Sequence, residues 1–188
     1  MAAPPSVSSK DMSGRFVMNK TLSDSTDEIL RLQGVSWFKR RAIAMFTLTL
    51  VTRHYTDDAG VEHIDIAQIL SGGIPATDEN RTLDFQEHDE DDDVFGAVVG
   101  HSRRIAVRDV TDPFLKEGWT TDTIEHGVVL AVAWSHPERN RYKWRAEQTW
   151  GFEVVNGERR YVRHVKFTSS DKKDGPIHAR LVYDYEGN

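Results

Sequence analysis

The sequence predicts an all-β protein, a single up-and-down antiparallel β-barrel with a short helix-turn-helix after its first strand. Segments that alternate between apolar and polar residues recur along the chain, and short turn sequences separate them. A capping-box pattern, Ser25-Thr-Asp-Glu28, stands before the apolar residues of a helix near the start of the chain. About ten strands in series would leave exposed edges in an open sheet, so closure into a barrel is favoured.

The composition is that of an ordinary globular domain. The chain has 188 residues, of which 38% are hydrophobic and 29% are charged. No linker or internal repeat divides it, so we expect a barrel over residues 14–188 and a disordered N-terminal arm, rich in Pro and Ser, over residues 1–13. The absence of cysteine excludes disulfides, thiolate metal sites and a catalytic thiol.

Charge and hydropathy limit the partners. The net charge of −6 argues against bulk attraction to nucleic acid or to an anionic membrane. Residues 1–14 contain no apolar core of a signal peptide, and no apolar run is long enough to span a bilayer. We therefore expect a cytoplasmic protein that binds no nucleic acid and does not insert stably into a membrane, with its oligomeric state left open.

The elements are predicted in order from the turns between them. A first strand over residues 15–20 precedes two short helices, one beginning near Asp27 and one over residues 37–44, with Gly34 at the C-terminus of the first. An acidic turn is expected at residues 86–93 and a loop around Trp119 at residues 115–123. Further strands are predicted over residues 46–55, 61–70, 80–85, 94–110, 124–134, 142–152, 161–167 and 177–185.

The strand over residues 142–152 has one wet face and one aromatic face. Its aromatic face contains Tyr142, Trp144, Ala146, Gln148, Trp150 and Phe152. A polar amide between two indoles, at Gln148, suits a cavity for a ring-bearing or long-chain ligand. The alternative is a packed sandwich core in which Gln148 bonds a neighbouring backbone group.

A second group of candidates lies on the long strand over residues 94–110. His101 and Arg103 are in phase there with apolar residues that include Phe95. An inward Arg needs a partner or a ligand anion, and an inward His suits proton transfer. If the strand changes faces at Gly100, both side chains point outward instead.

Two charged segments have simpler explanations than binding sites. Residues 86–93 are densely acidic, but they contain no glycine for a tight calcium loop, so a solvated turn without a metal is favoured. On the second helix, Trp37 and Phe38 stand beside cations and could admit an amphipathic ligand or contact an anionic surface. The simpler alternative packs Trp37 and Ile43 onto the mouth of the barrel.

Several short motifs match a known family in their order: Gly14-Arg-Phe16, the helical region from Asp27 to Val35, the Arg40-Arg41 pair and Arg180-Leu-Val-Tyr183. In this order the chain resembles the intracellular fatty-acid-binding proteins of the calycin superfamily. More specifically, it resembles small lipocalin-like proteins encoded in fungal genomes, some beside natural-product pathways. The resemblance implies a ligand cavity inside the barrel, with the two helices as its lid.

The resemblance departs from the family at one point. The family pattern places an inward Arg and Tyr two residues apart on the last strand, where they hold a fatty-acid carboxylate. Arg180 and Tyr183 are three apart, so a regular strand puts them on opposite faces. Arg163, in phase with Tyr161 and Val165, is the better inward cation.

Three functional hypotheses follow. No phosphate loop, nucleophile elbow or zinc-spaced His pair is present, so we expect chemistry without a cofactor, if there is any. The first hypothesis is a cyclase or isomerase of the pericyclase type, the second a carrier of a hydrophobic ligand, and the third a filled barrel that binds other proteins. Scattered inward polar groups favour the first, because a carrier needs only one clamp. The expected catalytic residues are His101, Arg103, Gln148, Tyr161 and Arg163. The expected ligand-binding residues are Trp134, Tyr142, Trp144, Trp150, Phe152, Phe95, Leu50 and Tyr183.

Overall fold

The computed structural model describes residues 1–187 and confirms the all-β prediction, with one antiparallel sheet of eleven strands. The strands are β1 (Gly14–Met18), β2 (Leu48–Thr56), β3 (Glu62–Leu70), β4 (Ile74–Pro75), β5 (Glu79–Thr82), β6 (His88–Asp92), β7 (Gly96–Ile105), β8 (Val128–Ser135), β9 (Trp144–Val155), β10 (Glu158–Ser169) and β11 (Ile177–Gly187). The helices are α1 (Asp27–Leu32), α2 (Trp37–Met45), α3 (Pro113–Lys116) and α4 (Thr121–His126), with a single 3-10 turn at Val107–Asp109.

The sheet has up-and-down connectivity and curls into a barrel. Its strand order is β4-β3-β2-β1-β11-β10-β9-β8-β7-β6, with β5 paired to β3. The first and last strands are therefore neighbours, and the seam of the barrel lies between β3–β5 and β7. There the Phe85 backbone N–H donates to the Ser102 carbonyl at 2.9 Å, and Arg104 of β7 bonds Glu62 of β3. Because these bonds join the two sides, the barrel is closed at the seam by side chains and one backbone bond.

The core has an inner and an outer layer. Inside the barrel, Phe16, Leu50 and Trp150 belong to one fully buried cluster. At one end of the barrel, α1 buries Ile29 and Leu32 against residues of β9 and β10. A second cluster lies on the outer face of β8–β11, where the segment of residues 107–119 covers it; this cluster contains Val107, Val110, Leu115, Trp119, Val128, Val155, Val162 and Val182. The sheet is thus apolar on both faces over part of its width.

The N-terminal residues 1–13, predicted to be a disordered arm, are packed against the end of the barrel opposite the lid. Ala3, Val7 and Met12 are buried in the inner cluster. Arg159 donates to the carbonyls of two residues in this segment, Pro4 at 3.1 Å and Val7 at 2.7 Å. The Pro- and Ser-rich composition suggested disorder, but the apolar residues between them find a surface that only the folded barrel provides.

Three local predictions are wrong. The acidic segment is not a turn, since residues 88–92 form β6 and pair with β7, while Arg139 bonds the Asp91 carboxylate at 2.9 Å. Residues 113–126 form two short helices in place of a loop and the start of a strand, because Asp112 accepts from two backbone N–H groups and caps α3 ahead of Pro113. The capping box does not form either: α1 begins at Asp27 without a side-chain cap.

The lid also differs from its simpler interpretation. No residue of α2 is buried, and Trp37 and Phe38 are 54% and 79% exposed, so α2 does not pack Trp37 onto the barrel mouth. The Ser36 side chain caps α2 by accepting from the Lys39 backbone N–H. Over residues 1–187, no helix is both long and apolar enough to cross a membrane.

Candidate functional site

A cluster of polar side chains lies inside the barrel, midway between the lid and the N-terminal segment. Arg163 of β10 pairs with Trp150 of β9, so both side chains lie on the inner face. Glu79 and Arg81 of β5 pair with Ile66 and Ile64 of β3, which are fully buried in the inner cluster, and they therefore also point inward. Strand register brings these four side chains together from three parts of the chain.

Arg163 is the centre of this cluster. Its Nη1 donates to Glu79 Oε2 at 2.9 Å, and its Nε donates to the Tyr161 hydroxyl at 2.9 Å. Its guanidinium carbon lies 3.9 Å from the centroid of the Trp150 ring, a cation–π contact. Nη2 is buried and has no hydrogen-bond partner among the described residues. Buried N–H groups rarely lack an acceptor, so this donor is a candidate contact for a ligand.

Glu79 neutralises only part of the positive charge. Its Oε1 accepts from Arg81 Nε at 3.1 Å and from Nη2 at 2.8 Å, and its Oε2 accepts from Arg163. Burial by itself raises the pKa of Glu79, but the charges and hydrogen bonds of Arg163 and Arg81 outweigh it and lower the pKa to about 2. Glu79 is therefore ionised at neutral pH, and the two cations and one anion leave a net charge of +1 inside the barrel.

Two tyrosines complete the polar cluster. Burial raises the pKa of Tyr161 further than the Arg163 charge lowers it, so its hydroxyl stays protonated at neutral pH. Because the oxygen of this hydroxyl accepts from Arg163, its own hydrogen is free to donate elsewhere. The Tyr183 ring lies 5.4 Å from the Tyr161 ring, and burial raises the pKa of Tyr183 as well.

Gln148 bonds a side chain and not the backbone. Its Oε1 accepts from the Trp150 indole N–H at 3.0 Å. Gln148, Arg81 and Leu181 face inward yet are only half-buried, so water can reach these three side chains. The Trp144 indole N–H, nearer the lid, is another buried donor without a partner in the part of the chain that the structure describes.

His101, Arg103 and Trp134 lie on the outer face of the barrel, and the expectation that they line the interior is wrong. Residues 98, 100, 102 and 104 of β7 face inward, which puts the odd-numbered positions outside. His101 packs between Phe85 and Trp134, with ring centroids 4.6 and 5.7 Å away, and burial lowers its pKa. Arg103 lies over the Phe85 ring. These residues form an outer aromatic patch that cannot contact a ligand inside the barrel.

The other predicted ligand-binding residues divide between two levels of the interior. Leu50, Trp150, Phe152 and Tyr183 belong to the inner cluster beside Arg163. A second group lies closer to the lid and contains Trp144, Phe95 and Tyr142. There Trp144 packs against Phe95 and Phe167. Within residues 1–187, no group of three His, Asp or Glu side chains could hold a metal ion.

Glu79 and Arg81 are the site residues that the sequence did not reveal. They alternate on a four-residue strand, and a Glu and an Arg two residues apart are common on the surface of a sheet. The partner of Glu79 is 84 positions away, on the far side of the barrel. No local pattern could therefore have identified this pair.

Solved structures of fatty-acid-binding proteins and related barrels share the fold of this chain. A fatty-acid-binding protein of Schistosoma mansoni in complex with arachidonic acid superposes with a TM-score of 0.53 at 14% identity, covering 93% of this chain and 96% of that one. The REP1-NXSQ fatty acid transporter gives 0.51 at 14% identity over 94% and 97% of the two chains. The fluorescent protein UnaG gives 0.53 at 15% identity over 93% and 97%. The fold is that of the fatty-acid-binding proteins.

Within this fatty-acid-binding fold, the last strand does not form the family's carboxylate clamp. Tyr183 faces the interior, but Arg180 points outward, where it bonds Glu153 at 3.3 Å beneath α3. The expectation that Arg180 and Tyr183 occupy opposite faces is correct. Arg163 is the inward cation, as expected, although it is already paired with a carboxylate.

Curated sequences point to natural-product proteins of fungi. A probable pericyclase, scpY, of Mollisia scopiformis is 29% identical over 189 aligned residues, covering 99% of this chain and 95% of that protein. The pericyclase pydY of an Acremonium species is 25% identical over 100% of this chain and 98% of its own length. No protein-family model matches the chain. The chain thus resembles fungal natural-product proteins along its whole length.

Proposed function

We propose that this protein binds a largely apolar natural-product intermediate inside its barrel and steers the cyclisation or isomerisation of that intermediate without a cofactor. Both curated relatives are named pericyclases and align with the chain over nearly all of its length. The solved structures that share the fold include proteins named for fatty acids, which supports a hydrophobic ligand in the same interior.

The observation that carries this proposal is the buried Arg163 with its unpaired Nη2 donor. A charged donor in a low-dielectric interior forms a strong hydrogen bond to a substrate carbonyl. That bond withdraws electron density from a conjugated double bond and lowers the barrier to an internal rearrangement of electrons. The Tyr161 O–H is the second donor available beside it.

The walls of the barrel supply the other half of the mechanism. Trp150, Phe16 and Leu50 are fully buried and held in place by the strands. Rigid walls can hold a flexible substrate in one reactive conformation, which in the best intramolecular cases removes about 7–11 kcal/mol from a barrier. All atoms of an intramolecular cyclisation come from the substrate, so no nucleophile from the protein is required.

A non-catalytic carrier is the second candidate, and the fatty-acid-binding fold favours it. A carrier needs an apolar interior and one orienting polar group, both of which this barrel provides. The two candidates differ in their products: changes inside a carrier alter affinity alone, whereas changes inside an enzyme alter rate or product identity.

The deciding experiment compares two interior variants on one candidate linear intermediate, with products separated by chromatography. We expect Arg163→Met to lower the rate by about 10²–10³-fold, the usual effect of losing one charged donor, while the product ratio shifts little. We expect Trp150→Ala to change the product ratio, because it removes a wall. Arg145→Met and Trp134→Ala remove an outer cation–π pair and are the matched controls, which should behave like the wild type.

Two outcomes would contradict the enzymatic proposal. An identical product ratio with and without the wild-type protein, together with measurable binding, would leave the carrier. If neither the intermediate nor simpler apolar ring compounds bind, the barrel is filled and acts as a protein-interaction module.

A further inference from the structure

Glu79 occupies the place where this barrel could otherwise hold the carboxylate of an anionic ligand. It lies between the guanidinium groups of Arg163 and Arg81, 2.9 and 2.8 Å from their nearest nitrogens, with an apolar cluster around it. Two arginines converging on one carboxylate are the usual means of binding an organic acid. Here the carboxylate is a permanent part of the chain, contributed by a short strand that pairs only with β3.

Arg163 has no two adjacent nitrogens that are both free to bind a second carboxylate. Bidentate binding needs two adjacent nitrogens of the guanidinium, either Nη1 with Nη2 or Nε with Nη2. Glu79 already takes Nη1, and the Tyr161 hydroxyl takes Nε. Nη2 is the one nitrogen of Arg163 without a partner among the described residues. A bidentate contact to a ligand carboxylate would have to share Nη1 with Glu79 or Nε with Tyr161, so the unpaired donor suits a single acceptor oxygen.

Charge acts in the same direction. A ligand carboxylate on Nη2 would share one guanidinium with Glu79, and two like charges repel strongly in a low-dielectric interior. Arg81 carries the surplus positive charge, but about a fifth of its side chain is exposed and its Nη1 lies against the backbone at Gly100, so water screens that charge. A neutral carbonyl accepts the same hydrogen bond without the repulsion.

We propose that Glu79 is a specificity-determining residue: a built-in carboxylate that excludes fatty acids and other carboxylates from the barrel and selects ligands with a neutral carbonyl. This inference rests on the proposed function only in placing the ligand inside the barrel, and it holds for an enzyme and for a carrier alike. It also explains how a chain with the fatty-acid-binding fold can favour a different class of ligand.

The test measures binding of two isosteric probes, decanoate and the methyl ketone in which a methyl group replaces its charged oxygen. Titration calorimetry at neutral pH should show that the wild type binds the ketone at least tenfold more tightly than decanoate. Glu79→Gln, which keeps the shape of the side chain and removes its charge, should tighten decanoate binding by roughly tenfold or more and change ketone binding far less.

Glu125→Gln is the matched control. Glu125 is exposed on α4, outside the barrel, so this variant changes the net charge by the same amount without touching the interior, and its selectivity should equal that of the wild type. Thermal unfolding of each variant confirms that it is folded.

Three results would overturn the inference: decanoate binding to the wild type as tight as ketone binding, no gain of decanoate binding in Glu79→Gln, or no binding of either probe to either protein. If Glu79→Gln does not fold, the comparison of decanoate and ketone binding to the wild type still tests the inference. A barrel that selects the ketone but leaves product ratios unchanged would refute catalysis and still support this role of Glu79.

Discussion

Trp150 and Trp134 lie on neighbouring strands but on opposite faces of the sheet. Trp150 contacts Arg163 inside the barrel, while Trp134 packs against His101 and Arg145 outside. The sequence suggested that both indoles line the cavity, because residues 128, 130, 132 and 134 of β8 form an apolar series. The inward series is in fact Val129, Ala131, Ala133 and Ser135, since Val129 pairs with Trp150.

This difference between the two indoles can be measured by tryptophan fluorescence. Because only Trp150 lies beside the proposed binding site, Trp134→Phe should retain the full change in emission when an apolar ring compound binds. Trp150→Phe should lose most of that change in emission. A small change should remain, because Trp144 beneath the lid also responds to the ligand. An equal loss in both variants would mean that the ligand binds outside the barrel.

The phase error at β7 and β8 has a physical cause. Alternation reveals the buried face of a strand only when the other face is in water. The outer face of β8 is covered, so Val128 and Val132 are as buried as Val129 and Ala131. β7 has the same ambiguity, because Ala97 and Val99 of its outer face are as buried as Val98 of its inner face. No residue-level pattern could therefore show which way His101 and Arg103 point.

At the scale of elements, the turn between α1 and α2 rests directly on the loop before β9. Gly34 has a φ of +88°, and a Cβ added there would lie only 2.0 Å from Cε2 of the Tyr142 ring. The sequence placed Gly34 at the end of a helix because of its backbone freedom. The structure adds a second requirement, the close approach of an aromatic ring from a residue more than 100 positions away.

The lid turn should therefore be unusually sensitive to substitution. Gly34→Ala combines backbone strain with a clash, and we expect it to destabilise the protein by about 2–4 kcal/mol, measured by chemical denaturation. Gly60→Ala, with a φ of +83° and no atom within 4 Å of its added Cβ, is the matched control and should cost only about 1–2 kcal/mol of backbone strain.

The double variant Gly34→Ala/Tyr142→Ala isolates the ring contact. If the clash is real, removing the ring should recover part of the loss, so the two changes should not be additive. Equal losses from Gly34→Ala and Gly60→Ala would show that the lid moves away from Tyr142 at little cost.

At the scale of the whole molecule, ion pairs hold the barrel together, a half-buried one across its seam and a largely buried one in its interior. Glu62 of β3 bonds Arg104 of β7 and His54 of β2, while Glu79 of β5 bonds Arg163 of β10. Burial raises the pKa of Glu62, but hydrogen bonds and charge from His54 and Arg104 prevail and lower the pKa to about 2. The Glu62–Arg104 and Glu79–Arg163 pairs each join two strands that the sheet ladder leaves unpaired.

The barrel should consequently lose stability in acid. A carboxylate whose pKa falls from 4.5 to about 2 on folding stabilises the protein fully above about pH 4.5, and this contribution disappears as the pH drops towards 2. Each carboxylate contributes at most about 3 kcal/mol. We expect the free energy of unfolding, measured by urea titration, to fall by several kcal/mol between pH 5 and pH 2.

Variants at the seam identify the source of this loss. Glu62→Gln should be less stable than the wild type at pH 7 and should show a shallower decline in acid. Glu186→Gln, which removes a half-exposed partner of Arg15, should keep the wild-type profile. If the free energy of unfolding of Glu62→Gln falls with pH as steeply as that of the wild type, the acid sensitivity arises elsewhere in the molecule.

The sequence by itself determined the fold class, the hairpins, the two lid helices and the inward orientation of Gln148, Tyr161 and Arg163. The exposed Arg145 marks the outer face of β9, and the Asn156-Gly157 turn fixes the register of β10 against β9, so local patterns carry the information here. Only the tertiary structure decided that Glu79 neutralises Arg163, that residues 1–13 cover the end of the barrel, and that His101, Arg103 and Trp134 lie outside. The physical reason is that each of these depends on residues far apart in sequence, whose burial and pairing exist only after the sheet has closed.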